Sequence, residues 1–284
     1  MATHRLLAGL IGAGIQRSLT PAMQEEEARH HGLRLHYQLI DLERTGESPA
    51  QLPALLTAAR IMGFAGLNIT YPCKQAVVPL LDELSPEAQA MGAVNTVVVR
   101  DGRLVGHNTD GSGWAWGFRR ALPEADLGCV VLLGAGGAGS AIADAVLGLG
   151  AAQLRLVDAD PPRAQALEQA LNARHGARVV SHSDAAQALA GATGLIHATP
   201  TGMAKFPGMA VAAALLRPSM WVSEVVYSPI DTELLKAARA LGCPTVDGGT
   251  MAVGQAVGAF ELFTGLNADA ARMEQHFRRL LAAR

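Results

Sequence analysis

A glycine loop between a short apolar run and a helical run constrains this chain more than any other feature. The loop Gly134-Ala135-Gly136-Gly137-Ala138-Gly139 follows Val130–Leu133, whose β-branched residues predict a buried strand. Apolar residues at helical spacing begin at Ser140, and a second apolar strand, Leu154–Val157, ends in Asp158. This order of elements is the fingerprint of a dinucleotide-binding Rossmann-type fold: a strand, Gly-x-Gly-x-x-Gly, a helix, a second strand and an acidic residue.

The residues of this loop have separate physical roles in holding a dinucleotide. Gly134 permits the tight turn, Gly136 lets the backbone approach a pyrophosphate, and Gly139 lets the helix pack closely on its strand. The free N–H groups and the positive end of the helix dipole attract the phosphates. In a chain with 31 glycines the spacing alone is more typical of a flexible turn, so the flanking elements carry the argument. We predict that all six loop residues contact a dinucleotide.

Asp158 indicates which dinucleotide is bound. A carboxylate at the end of the second strand accepts hydrogen bonds from a ribose 2′-hydroxyl and repels a 2′-phosphate. The nearest cation that follows is Arg163, which either reaches the nucleotide or lies on a solvated helix face. The sequence therefore favours NAD over NADP. The alternative is that Asp158 only caps the following helix.

Length, charge and cysteine content narrow the functional class. The 284 residues are enough for two domains, and the formal net charge of −2 gives no field that gathers nucleic acid or an anionic membrane. The cysteines Cys73, Cys129 and Cys243 lie far apart and no histidine pair has zinc-helix spacing, so no metal site is predicted. No apolar run is long enough to cross a bilayer, and Met1–Arg5 leads into a strand without a signal-peptide layout. A cytoplasmic protein with a small-molecule substrate is expected.

The chain before the glycine loop alternates between strand and helix patterns. Strands are predicted at Leu6–Ile11, Leu35–Asp41 and Gly66–Thr70. Helices are predicted after Thr20 as N-cap with Pro21 in the first turn, over Pro49–Met62, and from Pro72. The turn Asp101-Gly102 joins Val94–Arg100 to Arg103–Val105 as a hairpin. This alternation predicts an α/β domain whose mostly parallel sheet has the hairpin as its antiparallel edge.

The second half of the chain continues the pattern as a doubly wound parallel sheet. A helix is predicted over Ser112–Leu122, before the central strand and the glycine loop. Further strands are predicted at Val179–Val180, Leu195–Ala198, Trp221–Val226 and Thr245–Val246. The helical tail from Gly254 is apolar enough to complete either the core of a monomer or the interface of a homodimer.

Polar side chains gather where the predicted strands end, and ligands of open α/β sheets bind at that place. These residues are Ser18, Thr20, Asn68, Thr70, Lys74, Asn95, Asn108, Thr109 and Asp110. Lys74 lies beside the apolar turn Tyr71-Pro72-Cys73, where partial desolvation and a nearby carboxylate would suit it to acid–base chemistry. Taken singly, such a lysine is usually a solvated cation and such an aspartate usually a cap.

Six motifs in order along the chain resemble those of shikimate dehydrogenases. They are Gly9-Leu10-Ile11-Gly12 with Ser18-Leu19-Thr20-Pro21, Asn68-Ile69-Thr70-Tyr71-Pro72-Cys73-Lys74, Gly92-Ala93-Val94-Asn95-Thr96, Gly106-His107-Asn108-Thr109-Asp110-Gly111, Ala198-Thr199-Pro200-Thr201-Gly202-Met203, and Asp247-Gly248-Gly249-Thr250-Met251 with Gln255-Ala256. The resemblance implies a substrate-binding catalytic domain over residues 1–110, completed by C-terminal helices over 251–284. It implies an NAD-binding Rossmann domain over 111–250, with the active site in the cleft.

The resemblance also implies roles for single residues. Lys74 and Asp110 would be the catalytic pair, with Lys74 moving the proton of the oxidised hydroxyl. Ser18 and Thr20 would bind the substrate carboxylate. The residues that hold ring hydroxyls or otherwise contact the substrate would be Thr70, Lys74, Asn95, Asp110, Tyr227 and Gln255. Beyond the glycine loop, Asp158 and Arg163, the cofactor contacts would be Thr199, Met203, Val225, Gly248 and Met251.

Departures from the family pattern are informative. NADP-using members carry Asn-Arg-Thr after the second strand, where this chain reads Asp158-Ala159-Asp160 and lacks the 2′-phosphate clamp. Most members have Ser at the position of Thr20, and the Ser-x-Thr of this chain resembles the NAD-dependent quinate/shikimate branch. His197 replaces the usual Asn, and the sequence offers no physical reason for it.

The expected activity is NAD-dependent oxidation of quinate or shikimate to the 3-dehydro acid. A paralogue that acts on another cyclic polyol acid, of the aminoshikimate type, and an NADP-using biosynthetic shikimate dehydrogenase are the alternative enzymes. A sensor that binds dinucleotide and ligand without catalysis is the alternative from another class, although a sensor has no need of a Lys/Asp pair. The choice between quinate and shikimate stays open.

Overall fold

The computed structural model describes residues 5–283, and the chain divides into two compact units. The first unit runs to residue 109 and resumes at residue 255, and the second unit comprises residues 110–254. The domain limits predicted at 110/111 and 250/251 differ from these boundaries by one and four residues. Residues 1–4, which carry most of the prediction about a signal peptide, lie outside the described residues.

The first unit is built on a six-stranded sheet. Its strands are β1 (Arg5–Gly12), β2 (Arg34–Asp41), β3 (Phe64–Ile69), β4 (Glu83–Leu84), β5 (Thr96–Arg100) and β6 (Arg103–His107). Its α-helices before residue 110 are α1 (Thr20–His30), α2 (Leu42–Thr45), α3 (Leu52–Ile61) and α4 (Pro86–Met91), and short 3₁₀-helices lie at Pro49–Gln51 and Val78–Leu80. The strand order is β2-β1-β3-β5-β6-β4.

The predicted hairpin is present but does not form the edge of the sheet. Asp101 and Gly102 both have positive φ, 51° and 76°, as a two-residue hairpin turn requires. Strand β5 pairs antiparallel with β3 and with β6, and the short β4 then pairs parallel with β6 at the outer edge. The edge prediction is wrong because β4 has only two residues, too few for a sequence pattern.

Two predicted helix starts in the first unit are wrong. Leu19, not Thr20, occupies the cap position of α1, and its apolar side chain makes no cap bond. The Thr20 hydroxyl accepts from Ser18. No helix starts at Pro72, where the Tyr71–Pro72 peptide bond is cis and the chain forms turns. The carbonyl of Lys74 accepts the N–H of Val94 at 2.9 Å, so it is engaged outside any local helix.

The second unit has the strand order of a Rossmann-type fold. Its strands are β7 (Cys129–Leu133), β8 (Gln153–Val157), β9 (Val179–His182), β10 (Gly194–His197), β11 (Trp221–Glu224) and β12 (Thr245–Val246), and its helices are α5 (Asp110–Ala121), α6 (Gly137–Gly148), α7 (Pro161–His175), α8 (Ala185–Leu189) and α9 (Glu233–Ala240). All pairs are parallel, in the order β9-β8-β7-β10-β11-β12. The order reverses between β7 and β10, which is the switch point where such folds bind ligands.

The last two helices are α10 (Gly248–Thr264) and α11 (Ala270–Ala282). Helix α10 begins six residues before the predicted Gly254, because Asp247 precedes it and accepts the N–H of Gly249 at 2.9 Å. In the first unit, Gln24 of α1 donates to the carbonyl of Ala256 at 2.8 Å. The half-exposed Arg272 of α11 donates to the buried carboxylate of Glu27 at 2.6 and 2.8 Å. These bonds hold the C-terminal helices on α1.

Both sheets are covered by apolar side chains on both faces. In β7, Val130 and Leu132 pack in one buried cluster and Val131 and Leu133 in another. In the first unit, one cluster contains Leu67 and Ile69 with residues of α3, and the other contains Ala8 and Leu10 with residues of α10. Strands buried on two faces read as unbroken apolar runs, which explains the sequence pattern. None of the described helices has the length and apolar character needed to span a membrane.

Candidate functional site

The glycine loop of the second unit fits a dinucleotide. A side chain at Gly139 would collide with the carbonyl oxygen of Gly134, so only glycine lets α6 approach β7 this closely. By contrast, nothing lies within 4 Å of the places where side chains at Gly136 and Gly137 would stand. No side chain caps the start of α6 at Gly136. Open space beside uncapped N–H groups is what a pyrophosphate needs.

Asp158 is held beneath this loop rather than capping a helix. One of its carboxylate oxygens accepts the N–H of Ala135 at 2.6 Å and the other accepts the N–H of Asp160 at 2.8 Å. Asp160, not Asp158, caps α7, which excludes the capping alternative. A carboxylate accepts about four hydrogen bonds, so acceptor capacity remains for a ribose hydroxyl. Arg163 lies 3.1 Å from Asp160 and 3.6 Å from Asp158, and its side chain is about half exposed.

Thr199 lies next to the glycine loop and His197 holds it there. Its methyl carbon would be 3.1 Å from a Cβ placed on Gly134. Its hydroxyl is 2.5 Å from Nε2 of the buried His197, whose Nδ1 is 2.9 Å from Oε1 of the buried Glu224. His197 thus has two hydrogen-bond partners, Glu224 and Thr199, that could not be identified from the sequence. Sequence reasoning also missed Glu224, which ends β11 but lies inside the strand predicted over Trp221–Val226.

The other predicted cofactor and substrate residues of the second unit follow strands β11 and β12 or lie beyond β10. Val225 and Tyr227 are the first and third residues after β11, and Gly248 opens α10. Met203 and Tyr227 each expose 39% of their surface, whereas Met251 is buried in the core of this unit. Their predicted contacts stay predictions.

Two of the predicted substrate residues of the first unit, Thr70 and Asn95, lie at the same end of its sheet, where β3 ends and β5 begins. Thr70 follows β3 and its N–H donates to the carbonyl of Ile11 at 2.9 Å. The carbonyl of Asn95 accepts the N–H of Ile69 at 2.8 Å, and the N–H of Asn95 donates to the carbonyl of His107 at 3.1 Å. Because Gly12 of β1 is in register with Asp41 of β2, the residues that follow β1 and β2 lie at this same end of the strands.

Ser18 and Thr20 form a hydroxyl pair where the chain enters α1. The Ser18 hydroxyl donates to Thr20 Oγ1 at 3.1 Å and accepts the Thr20 N–H at 3.2 Å. Both residues are partly exposed. These two bonds use the Ser18 hydroxyl hydrogen and the Thr20 N–H, and they leave the Thr20 hydroxyl hydrogen for an anionic oxygen, which is the role predicted for the pair.

Asp41 organises the turn after β1 and was missed by sequence reasoning. Oδ1 accepts the N–H of Gly14 at 2.9 Å and Oδ2 accepts the N–H of Ile15 at 3.2 Å and the side chain of Gln16 at 2.9 Å. Burial alone would raise the pKa of the Asp41 carboxyl, but the bonds from Gln16, Gly14, Glu43 and Ile15 outweigh it, so the pKa lies below its ordinary value. Asp41 therefore stays charged and fixes the path towards Ser18.

Asn95 belongs to a buried polar network. Its Oδ1 accepts the N–H of Thr109 at 2.9 Å, and its Nδ2 donates to the Thr109 hydroxyl at 3.0 Å. The Thr96 hydroxyl donates to Asn95 Oδ1 and accepts from Asn68 Nδ2, both at 3.0 Å. The Tyr37 hydroxyl donates to Asn68 Oδ1 at 2.6 Å, and burial raises the pKa of Tyr37 well above its ordinary value. The network fixes the orientation of the Asn95 amide.

The two predicted catalytic residues lie in different units. Lys74 is half-buried in the turns that follow β3 of the first unit, and Asp110 is buried in the first turn of α5 of the second. A carboxylate at a helix N-terminus is stabilised by the helix dipole. Gln255 is the first residue of the resumed first unit, and its carbonyl accepts from the Thr109 hydroxyl at 3.5 Å. Within residues 5–283 no three His, Cys, Asp or Glu side chains come together as a metal site.

Comparison with known proteins identifies the family. The model of the shikimate dehydrogenase substrate binding domain matches residues 10–97. A shikimate dehydrogenase (NADP(+)) of Streptomyces avermitilis is 56% identical, over 96% of this chain and 95% of the relative. A quinate/shikimate dehydrogenase (NAD(+)) of Corynebacterium efficiens is 50% identical, over 96% of this chain and 97% of the relative.

A solved structure agrees with these relatives. Quinate dehydrogenase from Corynebacterium glutamicum in complex with NAD superposes with a TM-score of 0.92 and is 48% identical, covering 98% of this chain and 100% of that one. The ordered motifs, the Rossmann-type second unit and relatives aligned over nearly the full length lead to one conclusion. The chain belongs to the shikimate dehydrogenase family.

Proposed function

We propose that this protein is an NAD-dependent dehydrogenase that oxidises a ring hydroxyl of quinate or shikimate to the 3-dehydro acid. The observation that carries the proposal is the Asp158 carboxylate, bound to the Ala135 N–H of an open glycine loop in a chain of this family. NAD, when bound, accepts the hydride that leaves the substrate carbon. The reverse reaction uses the same groups.

The choice of NAD follows from Asp158. Both cofactors occur in the names of relatives that are at least 50% identical, so the local chemistry has to decide. A 2′-phosphate would face a carboxylate that the loop holds in place, and Arg163, the first cation that follows in the sequence, is already paired with Asp160 and Asp158. A 2′-hydroxyl instead donates a charge-assisted hydrogen bond to that carboxylate.

The proposed substrate residues are those at the polar end of the sheet in the first unit, together with further residues that the family motifs indicate. Ser18 and Thr20 hold the carboxylate of the acid. The ring hydroxyls are held by Thr70, Asn95, Asp110, Tyr227 and Gln255. The network around Asn95 supports this role, because an amide whose orientation is fixed distinguishes donors from acceptors on a ring.

Lys74 is the proposed acid–base group and Asp110 its partner. As the hydride leaves the carbon, negative charge builds on the hydroxyl oxygen and its proton passes to the Lys74 amine. An ammonium beside that oxygen stabilises the charge in the reverse direction. Asp110 orients the lysine and accepts from a substrate hydroxyl. The products are the ketone, NADH and one proton.

The experiment that tests the proposal follows NADH absorbance with quinate, shikimate and an aminoshikimate-type acid, each with NAD and with NADP. The expected result is turnover with quinate or shikimate and a higher kcat/KM for NAD. A higher kcat/KM for NADP would favour the NADP-using biosynthetic alternative. A higher kcat/KM for the aminoshikimate-type acid would favour the paralogue. Tight binding of acid and dinucleotide without turnover would favour the sensor.

Two further properties, the cellular location and the oligomeric state, need separate experiments. We propose a cytoplasmic location, to be checked by cell fractionation with antibody detection. The oligomeric state, monomer or homodimer, is decided by light scattering on the purified chain.

A further inference from the structure

A chain of hydrogen bonds between side chains crosses the sheet of the first unit and ends on the proposed substrate residue Asn95. Its other members lie on three strands, Tyr37 on β2, Asn68 on β3 and Thr96 on β5. Tyr37 and Thr96 are buried, and Asn68 is half-buried. Thr96 is in register with Asn68, and its hydroxyl lies 3.0 Å from Asn68 Nδ2 and 3.0 Å from Asn95 Oδ1. The Thr96 hydroxyl therefore joins the two amides directly.

The direction of each bond in this chain follows from one backbone group. The N–H of Thr109 can only donate, and it lies 2.9 Å from the Asn95 amide, so the amide atom that faces it is the oxygen. The Thr96 hydroxyl donates its single hydrogen to the same oxygen, so towards Asn68 it can only accept. The Asn68 NH2 group therefore faces Thr96, and it also lies 3.3 Å from the backbone carbonyl of Asn95.

The bond at the far end of the chain agrees with this assignment. With its NH2 group turned to Thr96, Asn68 presents Oδ1 to the Tyr37 hydroxyl, which donates at 2.6 Å. Burial raises the pKa of Tyr37 well above its ordinary value, so the phenol keeps the hydrogen that this bond needs. Strand β1 lies between β2 and β3, and Tyr37 is in register with Ala8 of β1, a small residue that the phenol can cross.

We propose that Thr96 is a positioning residue that holds the Asn95 amide for a ring hydroxyl of the substrate, and that Asn68 and Tyr37 hold Thr96. The proposal rests on the proposed function, because it needs Asn95 to contact the substrate. A hydroxyl rotates about its C–O bond, and the NH2 group of Asn68 restricts Thr96 to donating towards Asn95. Without the Thr96 hydroxyl, the Asn95 amide is restrained from the side of Thr109 alone.

The test measures kcat and KM for quinate, shikimate and an aminoshikimate-type acid at saturating dinucleotide. Thr96→Val, which keeps the shape but removes the hydroxyl, should raise the KM of the acid that turns over about 2- to 13-fold, as the loss of one neutral hydrogen bond gives. Because Asn95 would hold the hydroxyl in the ground state and the transition state alike, kcat should change less than KM. Thr96→Ser, which keeps the hydroxyl and loses the methyl group, should keep the wild-type KM.

Two further variants separate positioning from general stability. Tyr37→Phe removes the donor to Asn68 and should raise KM by no more than Thr96→Val does, because it acts through two intermediate side chains. The matched control is Thr264→Val in the same unit, where the Thr264 hydroxyl donates to the carbonyl of Phe260 at 2.8 Å. This control should unfold at a lower denaturant concentration and keep the wild-type KM.

A double-mutant cycle with Asn95→Ala decides whether Thr96 acts through Asn95. Thr96→Val should raise KM in the wild-type background and leave it unchanged in the Asn95→Ala background. If Asn95→Ala does not fold, the contrast between Thr96→Val and Thr96→Ser decides alone.

Four results would overturn the inference while the wild type turns over an acid. They are an unchanged KM in Thr96→Val, an equal rise in Thr96→Ser, an equal rise in Thr264→Val, and an undiminished rise in the Asn95→Ala background. If the wild type oxidises none of the acids with either dinucleotide, the proposed function fails and the inference fails with it. Turnover by the wild type thus distinguishes the failure of the inference from the failure of the proposed function.

Discussion

Replacing Asp158 by Asn should reduce the affinity for NAD far more than the affinity for NADP. The carboxylate accepts the backbone N–H groups of Ala135 and Asp160 at 2.6 and 2.8 Å. An Asn side chain can accept only one of them with its oxygen and turns its NH2 towards the other. An N–H left unsatisfied costs about 1–3 kcal/mol, so the variant should unfold at a lower denaturant concentration.

The loss of these internal bonds acts on both dinucleotides alike and cancels in the ratio of their affinities. What remains is the charge-assisted bond to the ribose 2′-hydroxyl, worth about 1.5–3 kcal/mol. The ratio of Kd for NADP to Kd for NAD should therefore fall by roughly 10- to 150-fold, because about 1.4 kcal/mol corresponds to a factor of ten. Titration of the protein with both dinucleotides measures this ratio, and denaturant unfolding measures the shared loss.

The matched control is Asp160→Asn. It removes a carboxylate that also lies beside Arg163, but Asn is an equally good N-cap and the bond to Ala135 is untouched. This control should leave the ratio of affinities within about twofold, well below the effect of one charge-assisted bond. Equal losses for NAD and NADP in Asp158→Asn would refute the recognition argument, and a wild type that prefers NADP would refute it outright.

Four further predictions concern the first unit and the proposed acid–base pair of Lys74 and Asp110. Lys74→Ala should keep the affinity for NAD and reduce kcat by about 10²–10⁴-fold, and Lys74→Met should have a kcat no higher than that of Lys74→Ala. If either variant retains more than about a tenth of the wild-type kcat in steady-state assays, Lys74 is not the acid–base group. Asp110→Asn should lower kcat and raise the substrate KM together, because it removes both roles proposed for Asp110, orienting the lysine and holding a substrate hydroxyl. An effect on only one parameter would remove one of these roles. Ser18→Ala and Thr20→Ala should raise the substrate KM more than they lower kcat, and an unchanged KM for every acid would remove them from the site. Asp41→Asn should destabilise the chain by about 1–3 kcal/mol at pH 7. Because the folded-state pKa of Asp41 is lowered, this difference in stability should persist above about pH 4 and shrink as the pH falls towards the folded-state pKa. Denaturant unfolding across that pH range measures the difference. A stability difference that grows on acidification would contradict the prediction.

The second unit could be predicted from the sequence because its determinants are local. The apolar runs of β7 and β8 flank a loop whose glycines are required by close approach within a few residues, as at Gly139 and Gly134. The turn Asp101-Gly102 predicted its hairpin for the same reason, since both residues adopt positive φ. Right-handed crossovers then restrict the strand orders that a parallel sheet can adopt, and the structure gives the one observed.

The bonds that shape the candidate site were decided only by the tertiary structure. Asp41 reaches Gly14 across 27 residues, and His197 reaches Glu224 across 27 residues. Each pair meets because two strands lie side by side in the sheet, and nothing local marks either carboxylate as buried. The same holds for β4, whose two residues are a strand only because β6 offers a free edge. Sequence patterns report which face of an element is apolar, whereas the partners of a buried polar group depend on which elements become neighbours.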